Sequence, residues 1–160
     1  MNPELLPRLI PGWPSFANIT PFRAPPDRQD RPAAQGRRVL IVEDEYFIAL
    51  ELDRWLEEAG HEIVGIAGSA HKAVAEALAH HPDLVIMDIR LAGDGDGIEA
   101  AVEIFDKIGV RCLFASAHAD ARTRNRAAGA EPLGWLAKPY SKADFLAAFE
   151  AALAALDVGA

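Results

Sequence analysis

From Arg37 onward, short apolar runs alternate with longer stretches whose apolar residues recur every three or four positions. The runs are Val39–Val42, Ile63–Ala67, Leu84–Leu91 with its aspartate at 88, Val110–Ala115 and Gly134–Ala137. Runs of this length, bounded by Gly, Pro and Asp, read as buried strands. The intervening stretches read as helices. The first covers Tyr46–Ala59, with Phe47, Ile48, Leu50, Leu52, Trp55 and Leu56 as its apolar positions and Gly60 as its stop. Ser69 caps a second over Ala70–His80, which Pro82 ends. A third starts near Gly97, turns Ile98, Ala101, Val102 and Phe105 inward and ends at Gly109. A short polar helix spans Asp120–Ala128 and stops at Gly129. Ser141 opens the last, where Phe145, Leu146, Phe149, Leu153 and Leu156 recur at helical spacing. Ser141-Lys142-Ala143-Asp144 has the form of a capping box, with Asp in the place usual for Glu.

Five strands alternating with five helices predict an α/β fold: a parallel sheet covered on both faces, in three layers. The doubly wound order 2-1-3-4-5 makes strands one and three neighbours at the switch point, where ligands bind beyond the strands' C-terminal ends.

Residues 1–36 differ in kind. Eight of the eleven prolines lie there, a density that forbids regular helix, so this stretch reads as a flexible extension to a domain at 37–160. Its apolar residues, among them Leu9, Trp13 and Phe16, are more than a solvating tail needs. The net charge is −8, and residues 1–36 hold four arginines against three acids, so the acidic surplus falls on the domain. A surface that acidic repels phosphate backbones, which argues against nucleic acid as a partner. No run is long enough to span a bilayer, and prolines interrupt the layout of a secretory signal. The single cysteine, Cys112, sits in an apolar run and reads as a buried thiol in a reducing cytoplasm.

The chemistry collects at the strand ends. Glu43-Asp44 follows strand one, Asp88 closes the core of strand three, Ser116 follows strand four and Lys138 follows strand five. Carboxylates converging at adjacent strand ends repel one another unless a cation sits among them. Carboxylate oxygens with water are the set that Mg²⁺ prefers. A lysine and a hydroxyl aimed at such a site point to a phosphoryl group whose charge they share with the metal.

These residues together resemble the receiver domain of two-component response regulators, the flavodoxin-like (βα)5 fold of chemotaxis-type single-domain regulators. The matches are Glu43-Asp44, Met87-Asp88, Asp96-Gly97, Ser116-Ala117 and Lys138-Pro139-Tyr140, with spacings of 44 residues from Asp44 to Asp88 and 22 from Ser116 to Lys138. The resemblance implies that Asp88 is the phosphoacceptor for a histidine kinase or histidine phosphotransfer protein. It implies Mg²⁺ held by Glu43, Asp44, Asp88 and the backbone carbonyl of Arg90. Ser116 and Lys138 would bind the phosphoryl oxygens, Lys138-Pro139 would be a cis peptide, and Trp135 would occupy the switch position and turn inward as Ser116 moves. Signalling would run through the face of helix four, strand five and helix five, which is also the expected homodimer surface. The implied protein is a cytoplasmic, stand-alone phosphoprotein that docks other proteins or relays phosphate, and turns over no separate substrate. Three departures stand out. The loop from Asp88 to Asp96 is one residue longer than common. Trp135 is larger than the usual Tyr or Phe. Phe114-Ala115-Ser116-Ala117-His118 approaches the Phe-Ala-Thr-Gly-Tyr signature of a subgroup of single-domain regulators.

Rival readings are weaker. An aspartate-nucleophile phosphohydrolase needs an acid two residues after its nucleophile, and Arg90 stands there, unable to donate a proton at neutral pH. A phosphate-independent docking protein would have no need of the acid set. Asp94, Asp96 and Glu103 match three positions of a calcium loop, but Ala92 occupies its first ligand position. His118, two residues past Ser116, reads as a surface histidine or, with Arg90, as a control on water reaching phospho-Asp88. Arg122, Arg124 and Arg126 do not share one helical stripe and read as a solvated, partner-facing surface.

Overall fold

A computed structural model describes residues 36–93 and 95–159. The Pro-rich residues up to 35, and Asp94 of the calcium-loop reading, lie outside the described residues. Five parallel strands, β1 (Arg38–Val42), β2 (Glu62–Ala67), β3 (Leu84–Asp88), β4 (Arg111–Ser116) and β5 (Gly134–Ala137), form one sheet in the order β2-β1-β3-β4-β5. They alternate with α1 (Tyr46–Glu58), α2 (Ala70–His80), α3 (Gly97–Ile108), α4 (Ala121–Ala127) and α5 (Lys142–Val158).

Alternate residues of each strand face opposite sides of a sheet, and this divides the core in two. Val39, Ile41, Leu84, Ile86, Leu113 and Leu136 pack with α1 and α5 around Trp55, Phe145 and Phe149. Leu40, Val42, Val85, Met87, Cys112 and Phe114 pack on the other side with α2 and α3. β3 is buried along its whole length, as a central parallel strand must be. Cys112 is fully buried, and burial pushes its thiol up to about 12.

Local signals account for the ends of the elements. The Ser69 hydroxyl accepts from the Lys72 N–H at the start of α2. Ser141 and Asp144 complete a reciprocal capping box at α5. Gly109 closes α3 at φ 64°. Three expectations need correction. Phe47 and Leu50 do not face the core: α1 buries Ala49, Leu52, Trp55 and Leu56, and that stripe leaves Tyr46, Phe47 and Leu50 at 68%, 84% and 39% exposure. In α3 the buried side chains are Ile98, Ala100, Ala101 and Ile104, while Val102 is only half-buried at the core's edge and Phe105, also half-buried, lies outside both core clusters. The polar helix also ends one residue early. A 3-10 turn over Ala128–Ala130 contains Gly129 instead of stopping at it.

Strand register then levels the functional edge. Val42 pairs with Met87, Asp88 with Ala115, and Ser116 with Ala137. The residues that follow β1 and β5 therefore emerge beside Asp88, on one rim of the sheet.

Candidate functional site

Glu43 and Asp88 are both buried, at 4% and 7% exposure, while Asp44 beside them is exposed. One carboxylate oxygen from each of the three lies within 4.8 Å of the others. Glu43 is held by its own backbone, whose N–H donates to the Ala67 carbonyl at 2.9 Å, and its Oε1 accepts the Glu45 N–H at 3.1 Å. Asp88 Oδ1 accepts the Arg90 N–H at 3.1 Å. The other oxygen of each acid takes the same donor. Lys138 Nζ lies 3.0 Å from Glu43 Oε2 and 3.1 Å from Asp88 Oδ2. The ammonium thus supplies the positive charge that the acids require, and the structure assigns Lys138 a neutralising place between them.

The electrostatics follow from burial. Desolvation pushes the Glu43 carboxyl up from its ordinary value, and the Glu45 N–H and Lys138 offset it only in part. Burial alone would push Lys138 down, but its bond to Glu43 and the Asp88 charge outweigh that, and the net direction is upward. Lys138 is aimed by its main chain, since its N–H donates to the Ser116 carbonyl at 3.0 Å and the peptide to Pro139 is cis. Tyr140 packs behind the lysine against Phe145. Its hydroxyl is fully buried without a hydrogen-bond partner among the described residues, and burial pushes it up to about 12.

Ser116 is buried at the same rim, and its hydroxyl is engaged locally. It donates to the His118 carbonyl at 2.9 Å and accepts the His118 N–H at 3.0 Å. Arg90 and His118 stand exposed at the rim, lining one cleft of about 470 Å³ with Ser116. Trp135 is half-buried, its ring stacked on Phe114 at 4.8 Å with the Arg124 guanidinium 5.1 Å from its centroid. Arg124 and Arg126 are therefore not merely solvated, for Arg126 pairs with Asp96. Asp96 caps α3 through the Glu99 N–H, and Glu103 pairs with Lys107 at 2.5 Å, which gives both acids partners other than calcium.

Two features of the site carry no plain sequence signal. A Cβ on Gly97 would lie 2.0 Å from the Asp88 carbonyl oxygen, so only glycine lets α3 begin against β3. The sequence marks the position, through the Asp96-Gly97 match and a glycine opening a helix, but not the close approach that requires it. The partnership of Arg126 with Asp96 spans 30 residues and has none.

The described residues thus form a doubly wound parallel fold with an acid cluster at its switch point, the residues holding hard oxygen donors suited to Mg²⁺. Residues 39–150 match the response regulator receiver domain, and the chain belongs to that family. It is similar to the transcriptional regulatory protein PdtaR of Mycobacterium tuberculosis, 45% identical over 126 residues, which is 78% of this chain and 60% of that protein. It is also similar to the phyllosphere-induced regulator PhyR of Methylorubrum extorquens, 30% identical over 122 residues, 76% of this chain and 45% of that one. The chain therefore spans about half the length of these curated relatives. Among solved structures, the receiver domain of a modulated diguanylate cyclase from Desulfovibrio desulfuricans superposes with a TM-score of 0.70 at 30% identity, over 79% of this chain and all of that one. Receiver domains interact with histidine kinases and serve as phosphoacceptors in two-component signalling. Among the described residues, no helix is long and apolar enough to cross a membrane.

Proposed function

We infer that this chain accepts a phosphoryl group on Asp88 from a histidine kinase or phosphotransfer protein, and signals by phosphorylation-dependent protein binding or by relaying the phosphate. One observation carries the reading: Lys138 Nζ bridges Glu43 and Asp88 at 3.0 and 3.1 Å while Asp44 stands beside them. A structural ion site has no use for an ammonium at that position, whereas phosphoryl transfer does. Glu43, Asp44, Asp88 and the Arg90 backbone carbonyl would hold Mg²⁺, which when bound offsets charge on the phosphoryl oxygens. An Asp88 carboxylate oxygen attacks phosphorus as the bond to the donor imidazole breaks, and the electron pair of that bond leaves with the imidazole. Lys138 and the Ser116 hydroxyl then take phosphoryl oxygens. Arg90 and His118, both at the rim, tune the access of hydrolytic water to the acyl phosphate. Trp135 reports the movement of Ser116, and the face of α4, β5 and α5 serves partner or homodimer contact. The receiver spans residues 37–160, and the Pro-rich residues 1–36 stand outside it.

Labelling with acetyl phosphate tests the reading. Mg²⁺-dependent, acid-stable but alkali-labile incorporation is expected in the wild type and absent in Asp88→Asn. Equal labelling of the two proteins would refute it.

A further inference from the structure

We propose that Arg126 and Arg124 are positioning residues: they hold α4, and through it the loop that occupies the Ser116 hydroxyl, so that their contacts set how readily Ser116 turns toward a group on Asp88. The inference rests on the reading of Asp88 as phosphoacceptor. It begins with how little else holds α4. The helix has seven residues, and Ala127 is its only buried side chain. One buried methyl is a small apolar anchor. The helix is attached instead by two cations. The Arg126 guanidinium pairs with Asp96, the cap of α3. That cap is continuous with Gly97, whose backbone abuts Asp88. The Arg124 guanidinium lies over Trp135, which rests on Phe114 of β4, and its Nε donates to the Ala119 carbonyl at 3.0 Å.

Ala119 closes the chain of contacts. It lies between His118, whose backbone holds the Ser116 hydroxyl on both sides, and Asp120, which caps α4 through the Thr123 N–H at 2.8 Å. When the Ser116 hydroxyl turns away, the His118 N–H and carbonyl both lose their partner, so the ease of that turn depends on how firmly residues 118–120 are held, and α4 is fixed to them. The cleft of about 470 Å³ between Ser116, His118, Arg90, Asp96, Thr123 and Arg126 gives that loop room to move. The Asp96 carboxyl supports the coupling. Burial would raise it, yet the Arg126 guanidinium and the Glu99 N–H hold it below the usual range. The two arginines thus bias a two-state element that phosphoryl binding pulls the other way.

Hydrogen exchange at the amides of 119–127 tests the first link, in the full chain without Mg²⁺ or a phosphoryl mimic. An exposed ion pair sustains a shift of about two- to fivefold, so Arg126→Gln and Asp96→Asn are each expected to speed exchange there by that factor. Asn keeps the capping oxygen, so the α3 amides stay at wild-type rates in Asp96→Asn. Arg126→Lys restores most of the protection. The double variant exchanges no faster than either single one, because each removes the same pair. The second link is read from Mg²⁺-dependent beryllium fluoride binding, followed by tryptophan fluorescence. It tightens by the same factor in Arg126→Gln, and in Arg124→Gln through loss of the contact with Trp135. Unchanged exchange in the single variants, or additive effects in the double, overturns the hold on α4. Binding in the wild type with unchanged affinity in the variants overturns the positioning role alone. No binding in the wild type overturns the phosphoacceptor reading and the positioning role with it.

Discussion

Gly97 shows how a single missing side chain shapes the site. Its position requires backbone to pass where a Cβ would meet Asp88 O at 2.0 Å and Ile89 Cα at 3.0 Å. None of those atoms can swing aside, since all are backbone, at the end of β3 and the residue that follows it. Gly97→Ala is therefore expected to cost at least about 3 kcal/mol, the upper end for overpacking, and urea unfolding would read it. The opposite holds at Tyr140. Its hydroxyl was drawn out of water and has no partner among the described residues. A buried donor left unpaired costs about 1–3 kcal/mol. Tyr140→Phe should thus leave the unfolding midpoint unchanged or raise it, by up to about 1 kcal/mol. A clear loss of stability would show that the phenol has a partner, such as a buried water.

Helix α1 carries the most exposed large apolar side chains near the acids, and they differ in kind from its buried stripe. Phe47 packs against Tyr46 in an edge contact, on the same sheet rim as Glu43 and Asp44. An exposed aromatic pair at the mouth of a transfer site suits contact with the apolar face of a donor protein. Phe47→Ala is expected to slow phosphotransfer from a cognate kinase by tenfold or more, on the order expected for an aromatic hot spot. Labelling by acetyl phosphate, which needs no docking, should stay at the wild-type rate. Equal loss with both donors would place Phe47 in the fold instead. The same helix marks the limit of what the sequence reveals. The bounds of α2 and the start of α5 agree with the pattern because Ser69, Pro82 and Ser141 act locally. An apolar count could not say that Phe47 and Leu50 face outward, because that depends on which side the sheet lies. Likewise, the strand-end acids were legible because each closes an apolar run, whereas the anchoring of α4 by Arg124 and Arg126 joins elements that no local pattern connects.

Across the whole molecule, Lys138 ties the last strand to the first and third through residues 95 and 50 positions away. The acids it joins are buried, so its removal leaves their charges uncompensated. Breaking a pair of this kind costs about 3–5 kcal/mol when fully buried, and the partly exposed lysine argues for a smaller figure, about 2 kcal/mol after solvent screening. The sign with pH follows from the raised folded-state value of Lys138. A cation bound more tightly to its proton in the folded state contributes fully below its ordinary 10.5 and loses that contribution only as pH rises through the folded value. Measurements at pH 7 therefore register all of it. Lys138→Met should lower stability in divalent-free buffer by about that amount. Mg²⁺ and the ammonium draw on the same two acids, so each weakens the need for the other. Bound ion at free concentration c stabilises the folded state by RT ln(1 + c/Kd), so tighter binding gives a larger gain at a fixed concentration. The gain in unfolding midpoint on adding Mg²⁺ should accordingly be larger in Lys138→Met than in the wild type, and should vanish from both when Asp44→Asn and Asp88→Asn are introduced. Equal gains in the two proteins would mean that ion and lysine occupy the acids independently, which two carboxylates sharing one ammonium at 3.0 and 3.1 Å do not allow.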